Sequence, residues 1–209
     1  MKIGRIISSS SDRYEVEIDN KIEKYMARGI LKKNDKTPVV GDIVKIEEET
    51  IIEIEERKNY IKRPKMANIT QLILVISAKS PKPDLLLLDK QLIFAEYLSI
   101  KPIICLNKID LDDISKISKE YKEIGYTCIQ TNAKLGEGIE KIKEHLYNNI
   151  TAFAGNSGVG KSSLINQLFG NSITEEGDIS NKNKRGKNTT TMARLYKIDN
   201  NSYIADTPG

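Results

Sequence analysis

Ile150-Thr151-Ala152-Phe153-Ala154-Gly155-Asn156-Ser157-Gly158-Val159-Gly160-Lys161-Ser162-Ser163 is the stretch that decides the fold. Residues 150–154 form a short apolar run of strand character, and Ser162 to Phe169 follows with apolar positions at helical spacing. Between them, Gly155 to Ser162 fits the pattern G-x-x-x-x-G-K-[ST]. Strand, glycine loop and helix in that order predict a phosphate cradle. Gly155, Gly158 and Gly160 let backbone N–H groups converge on phosphate oxygens without Cβ clashes. The helix N-terminus adds partial positive charge. Lys161 would carry a mobile ammonium to the β- and γ-phosphates, and the Ser162 hydroxyl would ligate Mg²⁺. Asn156, Ser157, Val159 and Ser163 complete the candidate cradle. The bland alternative is a glycine-rich turn without a ligand, and the flanking strand and helix speak against it.

A second signal lies earlier in the chain. Asn107-Lys108-Ile109-Asp110 follows Pro102-Ile103-Ile104-Cys105-Leu106, another buried-strand signature. A carboxylate at Asp110 can accept hydrogen bonds from N1–H and the exocyclic amine of guanine. Adenine offers no such donor pair. Asn107 would tie this loop to the phosphate loop, and the stem of Lys108 would cover the base. Alone, N-K-x-D is also a common polar turn. Thr131-Asn132-Ala133-Lys134, after the strand-like Tyr126-Thr127-Cys128-Ile129-Gln130, raises the odds. A backbone N–H near Ala133 can contact the base oxygen, with Lys134 beside it. Asn132 stands where Ser is usual.

At the other end, Asp206-Thr207-Pro208-Gly209 closes the strand-like Ser202-Tyr203-Ile204-Ala205. Asp206 would hold Mg²⁺ through water, and the N–H of Gly209 would sense the γ-phosphate. Asn171 to Lys187 is rich in Asn, Gly and Lys and reads as a mobile loop. It leads into Arg185-Gly186-Lys187-Asn188-Thr189-Thr190-Thr191. A threonine hydroxyl here can ligate Mg²⁺ when the γ-phosphate is present. Thr190 is the preferred ligand, with Thr191 next. The alternative is a polar surface loop with a β-favouring Thr run. The guanine-reading loops precede the phosphate loop, so the parts of a GTP-binding domain stand in rotated order.

The 209 residues allow one or two domains, and 39% hydrophobic with 30% charged residues fits a globular protein. No apolar stretch is long enough to span a bilayer, and Met1-Lys2-Ile3-Gly4-Arg5 lacks a signal-peptide core. A cytoplasmic monomer without a membrane partner is the expectation. Cys105 and Cys128 both fall in predicted buried strands, which suits reduced core thiols. His145, the only histidine, falls in a charged helix and is expected to be solvated. The net charge of +4 permits an RNA partner without demonstrating one.

From Met1 to about Arg63 the pattern is all-β. Gly4–Ile7, Tyr14–Ile18, Lys24–Arg28, Ile43–Ile46 and Ile51–Ile54 alternate or nearly alternate, with polar turns between. Five short strands in so few residues predict a small barrel, with the OB-fold leading. Such barrels commonly bind RNA on one face, but a structural or protein-binding barrel fits the residues equally well. Aromatic residues are few (Tyr14, Tyr25 and Tyr60), so base stacking is weakly supported. After Arg63-Pro64 the period changes to α/β, opening with the apolar strand Gln71–Ile76 and a helix over Leu85–Leu98.

Barrel, motif order and loops together resemble the circularly permuted GTPases that act in maturation of the small ribosomal subunit. The resemblance covers essentially the whole chain. It includes Val40-Gly41-Asp42, the junction Arg63-Pro64 with Asn68 and Gln71, and every loop quoted above. It implies an α/β protein with a five-stranded OB-like barrel over residues 1–63, followed by a circularly permuted P-loop GTPase domain over 64–209. It also implies slow hydrolysis of GTP to GDP and phosphate, stimulated by the small ribosomal subunit, with barrel contacts to ribosomal RNA. The resemblance further implies release of the protein from the maturing particle when GTP is spent.

Two departures stand out. A histidine that helps position the attacking water commonly precedes the Thr run in this family; here the place is held by Asn188. Asn can hydrogen-bond water but cannot take a proton near neutral pH. The candidate catalytic set is then Lys161, Asn188, Thr190 and Gly209, and the metal set Ser162, Thr190 and Asp206. Secondly, members continue past D-x-P-G into a helix and a zinc-binding C-terminal domain. This sequence stops at Gly209, reads as truncated, and no zinc site is expected within it. A GTP-dependent RNA- or ribosome-binding module with little turnover is the competing reading. Asn188 favours the module; Lys161, Ser162 and Asp206 favour the enzyme. An ATP-dependent kinase is disfavoured by Asp110.

Overall fold

A computed structural model describes residues 1–10, 13–29, 31, 37–170 and 193–206. The chain clusters into two compact units, Met1–Ile69 with Thr190–Gly209, and Thr70–Thr189.

In the first unit, five strands close on themselves: β1 (Lys2–Ser10), β2 (Arg13–Ile18), β3 (Lys21–Ala27), β4 (Ile43–Glu47) and β5 (Thr50–Ile54). Neighbours run β1-β2-β3-β5-β4, and β4 returns to β1. Every pairing is antiparallel except β3–β5. Alternation drives the closure, because Ile6, Val16, Val44, Ile46 and Ile51 all turn inward and are at most 1% exposed. Gly4 pairs with Val44 on β4, while the adjoining Arg5 pairs with Glu17 on β2. A Cβ at Gly4 would lie 2.6 Å from Val16 Cγ1 and from Ile18 Cγ1, so closure at this tight point requires glycine. The expected OB-like barrel is therefore present. Tyr14 and Tyr25, candidates for base stacking, are instead part of the buried core.

Asp42 is fully buried beside the barrel. Arg57 donates to it twice, from Nε at 2.7 Å and Nη2 at 2.8 Å, and the Val39 N–H adds a third bond at 2.7 Å. Hydrogen bonding to Asp42 raises the Arg57 pKa. Beyond it, β6 (Tyr60–Lys62) and β7 (Lys65–Ala67) form a small hairpin whose turn is Arg63-Pro64. Asn68 fastens this region, donating to Gly41 O at 3.0 Å and accepting from the Lys58 N–H at 2.8 Å. The same unit contains the hairpin of β12 (Arg194–Asp199) and β13 (Ser202–Asp206), which turns at Asn200-Asn201.

The second unit alternates strands and helices: β8 (Gln71–Ser77), α1 (Leu85–Tyr97), β9 (Lys101–Asn107), α2 (Ser115–Ile124), β10 (Thr127–Gln130), α3 (Ile139–Leu146), β11 (Ile150–Ala154) and α4 (Lys161–Gly170). Its strands are parallel in the order β10-β9-β8-β11. All seven residues of β8 are buried, as a strand covered on both faces requires. Asp84 caps α1 by accepting the Leu87 N–H at 3.0 Å, and the helix buries Leu88, Leu92 and Ala95. Gln71 donates to His145 O and Thr151 Oγ1, each at 3.0 Å. Cys105 is buried as expected, whereas Cys128 is only half-buried because β10 lies at one end of the strand order.

Candidate functional site

Each nucleotide motif described in the second unit stands at the carboxyl end of a parallel strand. Asn107 ends β9, Thr131 directly follows β10 and Gly155 directly follows β11. Ligands of open α/β sheets bind at this edge.

Asn107 joins the three loops. Its Nδ2 donates to Val159 O at 2.9 Å, which fastens the candidate guanine-reading loop to the candidate phosphate loop. Its Oδ1 accepts from the Ala133 N–H at 3.0 Å and from Thr131 Oγ1 at 3.1 Å. The amide is buried and spends both ends on neighbouring loops, so its orientation is fixed. Gly160, with φ +103°, passes directly over it: an added Cβ would meet Asn107 Nδ2 at 2.2 Å. Cys105 lies behind Thr131, Sγ to Oγ1 at 3.3 Å, and burial pushes its thiol up to about 12. That thiol is an inert packing group.

Lys108, whose stem was expected to cover the base, is engaged at its ammonium end. Its Nζ donates to Gly158 O at 2.7 Å and to Ser80 O at 2.5 Å, clamping the phosphate loop to the segment between β8 and α1. In the same segment Asp84 accepts from Asn156 Nδ2 at 3.4 Å. Sequence reading missed this outer brace, since nothing in Lys79-Ser80-Pro81-Lys82 resembles a nucleotide motif. Only the capping role of Asp84 beside Pro83 was within reach of the pattern.

Lys161 folds over its own loop and donates to Gly155 O at 2.7 Å and Asn156 O at 3.0 Å. Burial lowers its pKa. Ser162 and Ser163 are exposed in the first turn of α4, with Ser157 and Gly158 exposed before them. The Ser162 hydroxyl is a hard oxygen donor at an open position, which suits Mg²⁺. Asp110 and Lys134 are exposed at the rim. Asn132 is buried and accepts from the N–H groups of Lys134 (3.1 Å) and Leu135 (3.3 Å), so the departure from Ser still closes a tight turn. The Ala133 N–H, expected near the base oxygen, donates to Asn107 Oδ1.

The structure thus gathers Asn107, Lys108, Ala133 and the Gly155–Lys161 loop through direct bonds. Asn188, Thr190, Thr191 and Gly209 lie outside the described residues. Asp206 is described only as the last residue of β13.

A family model described as RsgA GTPase matches residues 54–209, and one described as RsgA N-terminal domain matches residues 3–53. The chain belongs to the RsgA GTPase family. Relatives of that family named small ribosomal subunit biogenesis GTPase RsgA include one from Caldanaerobacter subterraneus subsp. tengcongensis, 38% identical over 214 residues. That match covers 99% of this chain and 72% of the relative. Another, from Clostridium beijerinckii, is 41% identical over 213 residues, covering 99% and 73%. Among solved structures, YjeQ from Thermotoga maritima superposes with a TM-score of 0.79 at 32% identity, covering 100% of this chain and 74% of that one. YloQ, described as a circularly permuted GTPase, gives 0.77 at 34% identity, covering 100% and 71%. Barrel followed by permuted GTPase, the fold expected from the sequence, is the fold of these structures. As an RsgA-family GTPase the chain acts on GTP, and the family implies GTP or GDP with Mg²⁺.

Proposed function

We propose that this chain hydrolyses GTP while bound to the maturing small ribosomal subunit. Residues 1–63 would contact ribosomal RNA and residues 64–209 would carry the GTPase. Convergence of three loops on Asn107 is the observation that supports the site assignment. In this reading Asp110 reads the guanine edge and Lys134 flanks it. Lys161 gives up Gly155 O and Asn156 O for the β- and γ-phosphates. The N–H groups of Gly155–Ser163 receive the remaining phosphate oxygens. Ser162, Thr190 and Asp206 would hold Mg²⁺, which when bound would neutralise developing phosphate charge. Asn188 orients the attacking water by hydrogen bonding, and the Gly209 N–H marks the γ-phosphate.

Barrel contacts to RNA would be made through charge, because Tyr14 and Tyr25 are buried while Lys21, Lys24 and Arg28 are exposed. We place the protein in the cytoplasm as a monomer with no membrane partner; no helix among the described residues is long and apolar enough to cross a membrane. Single-turnover GTP hydrolysis with and without small subunits tests the reading. A slow rate alone that rises with subunits is expected. No rate above buffer in either condition would remove the enzyme role and leave the GTP-dependent binding module.

A further inference from the structure

The loop Thr131 to Leu135 was expected to present a backbone N–H to the base oxygen. In the structure each of its N–H groups is already spent inside the protein. The Thr131 N–H donates to Leu106 O at 2.8 Å, and the Asn132 N–H to Glu137 O at 3.0 Å. The Ala133 N–H donates to Asn107 Oδ1 at 3.0 Å. The Lys134 N–H goes to Asn132 Oδ1 at 3.1 Å. The Leu135 N–H goes to the same oxygen at 3.3 Å and to Asn132 O at 3.2 Å.

Apart from the Lys134 ammonium, the unspent donor of this loop is Asn132 Nδ2. Asn132 is 2% exposed, and its Nδ2 is buried without a hydrogen-bond partner among the described residues. Two N–H groups on Oδ1 fix which end of the amide is which. A buried donor without an acceptor is costly, so folded proteins rarely keep one. The neighbouring loop shows where this one stands. The Ile109 N–H donates to Thr131 O at 3.4 Å. Asp110, the candidate guanine-reading carboxylate, and Asn132 follow directly on the two residues of that bond. One turn therefore offers an acceptor for the N1 edge of guanine, and the turn beside it holds a donor with nothing to meet.

We propose that Asn132 is a specificity-determining residue: its Nδ2 donates to the 6-oxygen of guanine, the part expected of the Ala133 N–H. The inference rests on the reading of Asp110 and this loop as the guanine site. Any backbone donor of the loop must break a bond to meet the base, whereas Nδ2 breaks none. It is covered in the empty protein, so the base has to open the turn to reach it, and the bond then formed offsets that opening. Adenine carries an amine at the 6-position. It would set donor against donor at Asn132 and leave Asp110 without its donor pair, so adenine is rejected at two points. The exposed Lys134 ammonium is a hydrated charge on a flexible stem and sets no such direction.

The test compares affinities for GDP and 6-thio-GDP. The analogue keeps the N1–H and 2-amine that Asp110 would read, and puts sulfur, a weaker acceptor, in place of the 6-oxygen. The ratio of the two affinities is insensitive to general weakening of the site. The parent is expected to favour GDP about ten-fold, and Asn132→Asp to bring that preference to within about two-fold of unity. This variant keeps the oxygen that closes the turn and removes the donor. Asn132→Ser, whose hydroxyl can close the same turn, should lower the preference by a smaller factor and serves if Asn132→Asp does not fold. A preference unchanged in the folded Asn132 variants, or absent in the parent, overturns the proposal. So does a preference that is lost in Lys134→Ala and kept in Asn132→Asp. If Asp110→Asn gains no affinity for xanthosine diphosphate, the reading of the guanine site falls and this inference falls with it.

Discussion

Replacing Asn107 by Ala removes the bond to Val159 O and strands the Ala133 N–H, while Thr131 Oγ1 keeps contacts with Leu106 O and Cys105 Sγ. Two buried backbone groups are therefore left unpaired. Each such group costs about 1–3 kcal/mol, so the site loses about 3 kcal/mol in total. Part is felt in folding and part in nucleotide binding, because the loops must be drawn together again when GDP enters. GDP affinity is expected to fall about 30-fold, roughly 2 kcal/mol, with the remaining ~1 kcal/mol lowering Tm by about 2–4 °C. Titration of a fluorescent GDP analogue and a thermal melt of the same sample measure both parts. Asn107→Asp, which keeps the acceptor but points an oxygen at Val159 O, should do no better. A GDP affinity within three-fold of the parent, with an unchanged melt, would refute the view that this amide organises the site.

Asp110→Asn should move preference from guanine to xanthine nucleotides, since the amide donates where the carboxylate accepted; unchanged GTP affinity in that variant defeats the base-reading role. GDP affinity should decline at alkaline pH earlier than an exposed lysine would cause. Burial has lowered the Lys161 pKa below 10.5, phosphate binds the ammonium form, and affinity is lost as pH rises through that lowered value. Lys161→Ala should abolish this limb of the titration, and a limb that persists in the variant assigns it elsewhere. Arg57→Ala leaves Asp42 buried without its cation and should destabilise the first unit by about 3 kcal/mol, the low end of the range for a broken buried pair because Val39 still donates. Chemical denaturation measures it, and a loss under about 1 kcal/mol contradicts the assignment.

What could be read from residues alone was local. Gly155 to Ser162 announces itself because a phosphate cradle needs its glycines, lysine and hydroxyl at fixed offsets along one loop. Asn107-Lys108-Ile109-Asp110 does so for the same reason. Their partners were hidden because they lie far away in sequence: Val159 stands 52 residues from Asn107, and Ser80 stands 28 residues from Lys108. Alternation revealed the barrel strands, but not the parallel β3–β5 pairing or the return of β4 to β1, which depend on register and not on composition. The hairpin β6–β7 escaped because three-residue strands are too short to show a period. Tyr14 and Tyr25 looked available to a ligand only because a sequence does not say which face of a strand turns inward.

Strand β8 is buried from end to end and pairs with β9 on one side and β11 on the other. During synthesis from the N-terminus, β9 is available soon after β8, but β11 is made only much later. Until then one flank of a wholly buried strand has no hydrogen-bonding neighbour, an open invitation to other chains. Rotating the order of the loops has therefore moved the risk: the half with the candidate guanine loops can assemble first, and β11, which leads into the candidate phosphate loop, is also what covers the open flank of β8.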